Sequence, residues 1–181
     1  MMRIYENRMA VTWLRCLMAT AVTAIVLLLS VPIGLGNAGA AEVSAPEFSV
    51  GTLTGETYTS AMLKGQPTLL AFWAPWCKVC QKELPVLAEF SQHEKPAQLR
   101  ILSIGFADSR GNVEEFVKAR QAVFVFPTAF DDGNQMARSY RINATPTFVL
   151  VNDQGAVVLL HRGGGLLQNV QFREFLSTLK G

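Results

Sequence analysis

Two largely apolar stretches of strand length dominate the pattern of the chain, the continuous run Thr68–Trp73 and the second buried-strand candidate Leu99–Phe106, which carries Arg100 and Ser103. Runs without polar alternation suit strands that are buried on both faces of a sheet. Val123–Phe126 is a third, shorter strand candidate. Thr147–Val151 and Ala156–His161 are two more, joined by the hairpin-turn composition Asn152-Asp153-Gln154-Gly155. Between them lie segments of helical period. Cys77 to His93 places Leu84, Leu87, Ala88 and Phe90 inward, with Pro85 inside it as an expected kink and Lys95-Pro96 as its stop. Asn112 is positioned to cap a helix with Glu115 as its capping-box partner; Val113, Phe116 and Val117 form the apolar stripe. Gln135–Tyr140 reads as a short helix, and Leu166–Leu179 as a closing amphipathic one after Gly163-Gly164-Gly165. Near the start, Phe48–Val50 and Thr57–Thr59 read as short strands, and Ser60–Leu63 as a helical turn. This order predicts an α/β fold with a mixed central sheet and helices on both faces.

The N-terminal segment follows another pattern. No charged side chain occurs from Cys16 through Ala41, and the densest apolar part is Ala21–Ile33. Arg3, Arg8 and Arg15 precede it, and Ala38-Gly39-Ala40 offers a small-residue cleavage site. These features describe a secretory signal peptide. The apolar length, about 18 residues, is also near the minimum for a membrane span and long for a signal, which favours a retained anchor. Either way the basic flank stays in the cytoplasm and the body is exported. The domain expectation is therefore residues 1–41 as signal peptide or membrane anchor with the start of a linker, and residues 42–181 as one folded domain.

Charge and cysteine count narrow the function. The net charge of +2 comes from the N-terminal arginines, because from Ala41 onward thirteen basic side chains face thirteen acidic ones. A neutral body without a basic stripe argues against nucleic acid as a partner. Of three cysteines, Cys16 lies in the apolar segment, leaving Cys77 and Cys80 in the body. Two cysteines make no structural disulfide framework. Four-ligand zinc would need His93 and His161, both distant in sequence, and Gln81 after the pair excludes the C-x-x-C-H haem attachment motif. No metal ligand set and no cofactor is expected. A thiolate at the first turn of a helix meets free N–H groups and the positive end of the helix dipole, which make the thiol acidic enough to react near neutral pH. The second thiol, one turn on, is near enough to close a disulfide. Such a pair is a redox pair.

The stretch Phe72-Trp73-Ala74-Pro75-Trp76-Cys77-Lys78-Val79-Cys80 resembles the F-W-A-x-W-C-x-x-C motif of the thioredoxin superfamily, specifically its TlpA/ResA-type membrane-anchored thiol-disulfide oxidoreductases. Pro85 matches the helix-kinking proline of that family. Ala144-Thr145-Pro146-Thr147-Phe148 resembles its cis-proline loop, and residues 112–130 its central helix-strand insertion. The resemblance spans about Pro46 to Gly181 and implies a thioredoxin fold with an N-terminal strand extension. Two departures stand out. Thioredoxins carry a buried aspartate where this chain has Ala71, and Glu83 matches the glutamate that handles protons in ResA-type proteins. The dipeptide Lys78-Val79 is neither the Gly-Pro of thioredoxin nor the Pro-His of DsbA, which leaves the direction of electron flow open.

The resemblance implies Cys77 as nucleophile, Cys80 as resolving thiol and Glu83 as proton carrier. It further implies that Trp76, Thr145 and cis Pro146 bind the substrate, with the backbone of Thr145 pairing with an extended client segment. The implied activity is disulfide exchange with client proteins through their cysteines, most simply as a reductant of apocytochrome c type clients recharged by a membrane electron donor, in the periplasm or an equivalent space. The rivals are a disulfide oxidant or isomerase for a dedicated client, and a thiol-based copper-binding module, against which the lack of Met or His close to the pair argues. A peroxiredoxin lacks support because the P-x-x-x-T-x-x-C motif is absent.

Overall fold

A computed structural model describes residues 43–179. The proposed signal or anchor lies outside the described residues; among those described, no helix is long and apolar enough to cross a membrane.

Six strands form one mixed sheet in the order β1 (Val43–Ser44), β8 (Ala156–Arg162), β7 (Thr147–Val151), β4 (Thr68–Trp73), β5 (Arg100–Gly105) and β6 (Thr128–Phe130). β4, β5 and β6 run parallel, while β7 and β8 return antiparallel. The hairpin of β2 (Ser49–Gly51) and β3 (Thr57–Thr59) forms a separate pair. It is tied to the β6 edge by a Thr52–Ala129 bridge and by Leu53 N–H donating to the Thr128 carbonyl at 2.8 Å. This pairing covers an edge that would otherwise be open to another chain.

The side-chain period of two in β4 divides the core. Leu69 and Ala71 face α1 (Lys78–His93) and α4 (Val170–Thr178), meeting Leu87, Ala88, Phe90 and Phe172. Leu70 and Phe72 face α3 (Gln135–Ser139), meeting Met136 and Ala137. Helices thus lie on both faces. Trp73, at the end of β4, packs in a third cluster with Val113 of α2 (Arg110–Lys118), Phe130 and the two cysteines. Its indole N–H donates to Ser103 Oγ at 3.0 Å, and Ser103 donates to Thr128 Oγ1. Gly105 is required where α2 crosses β5: a Cβ there would lie 2.6 Å from Val113 Cγ1.

Three local expectations change. Val123–Phe126 is not a strand, because the chain first reaches β5 at Thr128, opposite Ser103, after Pro127. Phe124 and Phe126 keep the alternation but pack into the core from an irregular segment, Phe124 against Trp73 at 4.9 Å between ring centroids. The cap of α2 is Ser109 rather than Asn112. The Ser109 hydroxyl accepts from Asn112 N at 3.2 Å, so the helix begins earlier, and the Asn112 side chain turns back to Asp108 instead. The closing helix is split. Residues Leu166–Gln168 form a 3-10 turn, and Asn169, in extended conformation, caps α4 by accepting from Phe172 N at 3.0 Å. An asparagine that can satisfy a free helix N–H competes with continuing the helix through itself. α1 runs through Pro85 to His93.

Tyr140 packs on Phe48 and Phe72, and its hydroxyl is buried with no hydrogen-bond partner among the described residues. A buried unpaired hydroxyl costs about 1–3 kcal/mol. Burial also pushes the phenol well above its ordinary pKa. The unfolded chain releases this proton at about pH 10 while the folded one holds it, so stability present below that pH is lost as pH rises. Tyr140→Phe should melt at or above the wild-type temperature at neutral pH. Its melting temperature should also fall less between about pH 9 and about pH 11, as followed by circular dichroism.

Candidate active site

The site lies where the C-terminal end of β4 meets the N-terminus of α1, the position at which open α/β sheets place ligands. The chain leaves β4 at Trp73, turns through Ala74-Pro75-Trp76, and starts the helix with Cys77 as N-cap. Cys77 has the extended conformation of a cap (φ −76°, ψ 109°), and its Sγ accepts from Cys80 N at 3.0 Å. The sulfur thus takes the place of a capping oxygen and faces the positive end of a 16-residue helix whose first turn carries no carboxylate. Cys77 and Cys80 form a disulfide, with Cα atoms 5.2 Å apart. Cys80 is 0% exposed and Cys77 5%, so an approaching partner meets the Cys77 sulfur.

The loop before β7 closes over the pair. The Thr145–Pro146 peptide is cis. The Thr145 carbonyl lies 3.5 Å from Cys77 Sγ, and Thr145 Oγ1 lies 2.9 Å from Cys80 Sγ. A disulfide sulfur carries no proton, so the hydroxyl is the donor in the second contact. Pro146 is buried and its carbonyl accepts from Gly163 N at 2.8 Å, joining this loop to the glycine turn after β8. Trp76 stands beside the pair, 58% exposed, with its indole N–H donating to the Ala107 carbonyl at 3.1 Å. Lys78 and Val79 are exposed.

Glu83 has a different partner from the one its spacing suggests. Three residues past Cys80 and half-buried, it accepts a hydrogen bond through Oε2 from Gly165 N at 2.9 Å. Gly164 leaves room for the carboxylate: a Cβ there would come within 2.6 Å of Oε1. His161 braces the same turn through Nε2 and the Gly164 carbonyl, 3.0 Å apart. Cys77, Cys80, Thr145 and Pro146 are therefore brought together with Trp76 at their rim, and Glu83 joins α1 to the glycine turn. Ala107 and the Gly164-Gly165 turn were not picked out by sequence reasoning as parts of the site. The glycine triplet was the available signal for the second; alanine gives none for the first. Ala71, at 1% exposure, lies in the apolar core below α1.

Residues 41–159 match the model of the AhpC/TSA family. The thiol-disulfide oxidoreductase ResA of Bacillus subtilis (strain 168) is 30% identical over 136 residues, covering 75% of this chain and 74% of that protein. The protein of the same name from Bacillus cereus is 34% identical over 114 residues; the match covers 63% of this chain and spans 65% of that relative's length. Among solved structures, StoA from Bacillus subtilis superimposes with a TM-score of 0.61 at 26% identity, covering 76% of this chain and 98% of that one.

Proposed function

The chain belongs to the AhpC/TSA family, beside relatives named as thiol-disulfide oxidoreductases, and on that premise we propose that it reduces disulfides in client proteins through Cys77 and Cys80. The observation that carries the reading is the Cys77 sulfur at the helix N-cap, the more exposed of the pair, with the Thr145 hydroxyl on the sulfur behind it.

In the reduced protein the Cys77 thiolate, favoured by the Cys80 N–H and the helix dipole, attacks one sulfur of a client disulfide. The client S–S bond breaks, a mixed disulfide forms on Cys77, and the other client sulfur leaves as a thiolate and takes a proton. The Cys80 thiolate then attacks the Cys77 sulfur. The Cys77–Cys80 bond forms and the second client thiol is released, so two electrons have passed to the client. A thiol donor recharges the pair by the reverse steps, in which Cys80 is the leaving group. The Thr145 hydroxyl, 2.9 Å from Cys80 Sγ, is placed to stabilise that developing thiolate. The half-buried Glu83 carboxylate, held by Gly165 N one helical turn from Cys80, serves as the nearby proton carrier. Trp76 and the Thr145 backbone form the client groove, and residues 1–41 export the domain and tether it to the membrane, where its electron donor resides.

Equilibration of the pair against glutathione tests the direction. A midpoint below roughly −250 mV supports a reductant, and one near roughly −120 mV, the range of a strong dithiol oxidant, overturns it. Cys80→Ala should hold the client covalently on Cys77 and identify it by mass spectrometry.

A further inference from the structure

Trp76 combines two properties that seldom go together. It is the most exposed large aromatic among the described residues, yet its indole N–H is bonded to a backbone carbonyl, that of Ala107. Ala107 lies two residues past the end of β5 and holds φ at +55°, in the left-handed region that a residue with a Cβ adopts at a cost. Something must hold it there. Its N–H donates to Asn134 Oδ1 at 2.7 Å, from a segment distant in sequence. Asn134 is itself left-handed (φ 56°, ψ 35°), and its own N–H donates to the Asp131 carbonyl at 3.0 Å. Asp131 is anchored in turn: buried, it accepts from Met136 N and Ala137 N of α3 at 2.8 and 2.7 Å. Beside Ala107, Phe106 N–H donates to the Trp73 carbonyl at 3.0 Å, tying the same loop to the end of β4.

We propose that Asn134 is a positioning residue for client recognition: acting through Ala107, it fixes the Trp76 ring as a rigid wall beside Cys77, shaped for an apolar side chain flanking the cysteine of an extended client segment. The inference rests on the proposed reading of Trp76 as part of the client groove. A position that must be left-handed and must also accept from Ala107 N admits few residues. Asparagine satisfies both demands, aspartate keeps both, and glycine keeps the conformation while losing the acceptor. An indole whose orientation is set before the client arrives has less freedom to lose on binding. The effect belongs in KM for a protein disulfide and is absent with a disulfide too small to reach the ring.

The test uses the full chain with three variants. The indole N–H resonance of Trp76, identified by its loss in Trp76→Phe, should shift in Asn134→Gly and exchange with water about tenfold faster, and should return in Asn134→Asp. The KM for insulin should rise at least about threefold in Asn134→Gly at unchanged kcat, and be restored in Asn134→Asp. kcat/KM for hydroxyethyl disulfide should stay level. A proportionate loss with hydroxyethyl disulfide, or an unmoved indole signal, overturns the proposal. If Trp76→Phe raises the insulin KM and Asn134→Gly does not, the relay alone is wrong. If Trp76→Phe leaves that KM unchanged, the client-groove reading has failed and the proposal falls with it.

Discussion

Cys77→Ser in the full chain should lower turnover of insulin disulfides with a thiol donor by at least about a thousandfold, to the background of the donor alone. The size follows from the geometry. The attacking group must be a thiolate, and a serine hydroxyl at the same N-cap ionises far too weakly at neutral pH to replace it, however well Cys80 N and the helix end solvate it. Cys80 offers no detour, because it is 0% exposed behind the Thr145 hydroxyl. Stability should hardly change apart from the lost cross-link. Serine is a good N-cap, and the link closes only the short loop between residues 77 and 80. Circular dichroism of the reduced proteins checks this, and insulin turbidity checks the activity. Residual turnover near the wild-type rate would remove Cys77 as the nucleophile.

The second large effect is on folding. Trp73→Ala should destabilise the domain by about 3–5 kcal/mol in urea unfolding, a large part of the stability of a domain this size. Trp73 is 1% exposed and packs against Phe116 and Phe124 at centroid distances of 5.3 and 4.9 Å. Removing it opens a cavity in the third core cluster and strips Ser103 of the donor at its hydroxyl. Trp73→Phe keeps the ring contacts and loses the hydrogen bond, so it should cost about 1 kcal/mol beyond the change in ring size. The neighbouring Trp76, 58% exposed, should show little of this when replaced. Two tryptophans three residues apart thus separate a packing role from a surface one.

Much of this was legible in the sequence because the decisive signals are local. The continuous apolar run of β4 and the mostly apolar stretch of β5 suit central strands, and two thiols one helical turn apart could close on each other. The inward positions of α1, Leu84, Leu87, Ala88 and Phe90, follow from helical period alone, and all four are buried. The errors arose where tertiary pairing decides. Val123–Phe126 has strand composition but pairs with no strand among the described residues, and β6 forms only where the chain reaches β5. Asn112 and Ser109 are both good caps, and local pattern does not choose between them. Glu83 shows a different limit. Helical spacing put it beside Cys80, but no local rule could reveal that its carboxylate also meets the N–H of Gly165, 82 positions along the chain. Ala107 was invisible for the same reason, since its left-handed backbone is held by Asn134 and not by its own residue type.

The complete burial of the Cys80 sulfur has a kinetic meaning. If electrons enter and leave through the Cys77 sulfur alone, donor and client must use the same face in turn, and no ternary complex of the two with the protein can form. Such an enzyme works as a shuttle. Its initial-rate lines run parallel, and an excess of either partner starves the other of its turn.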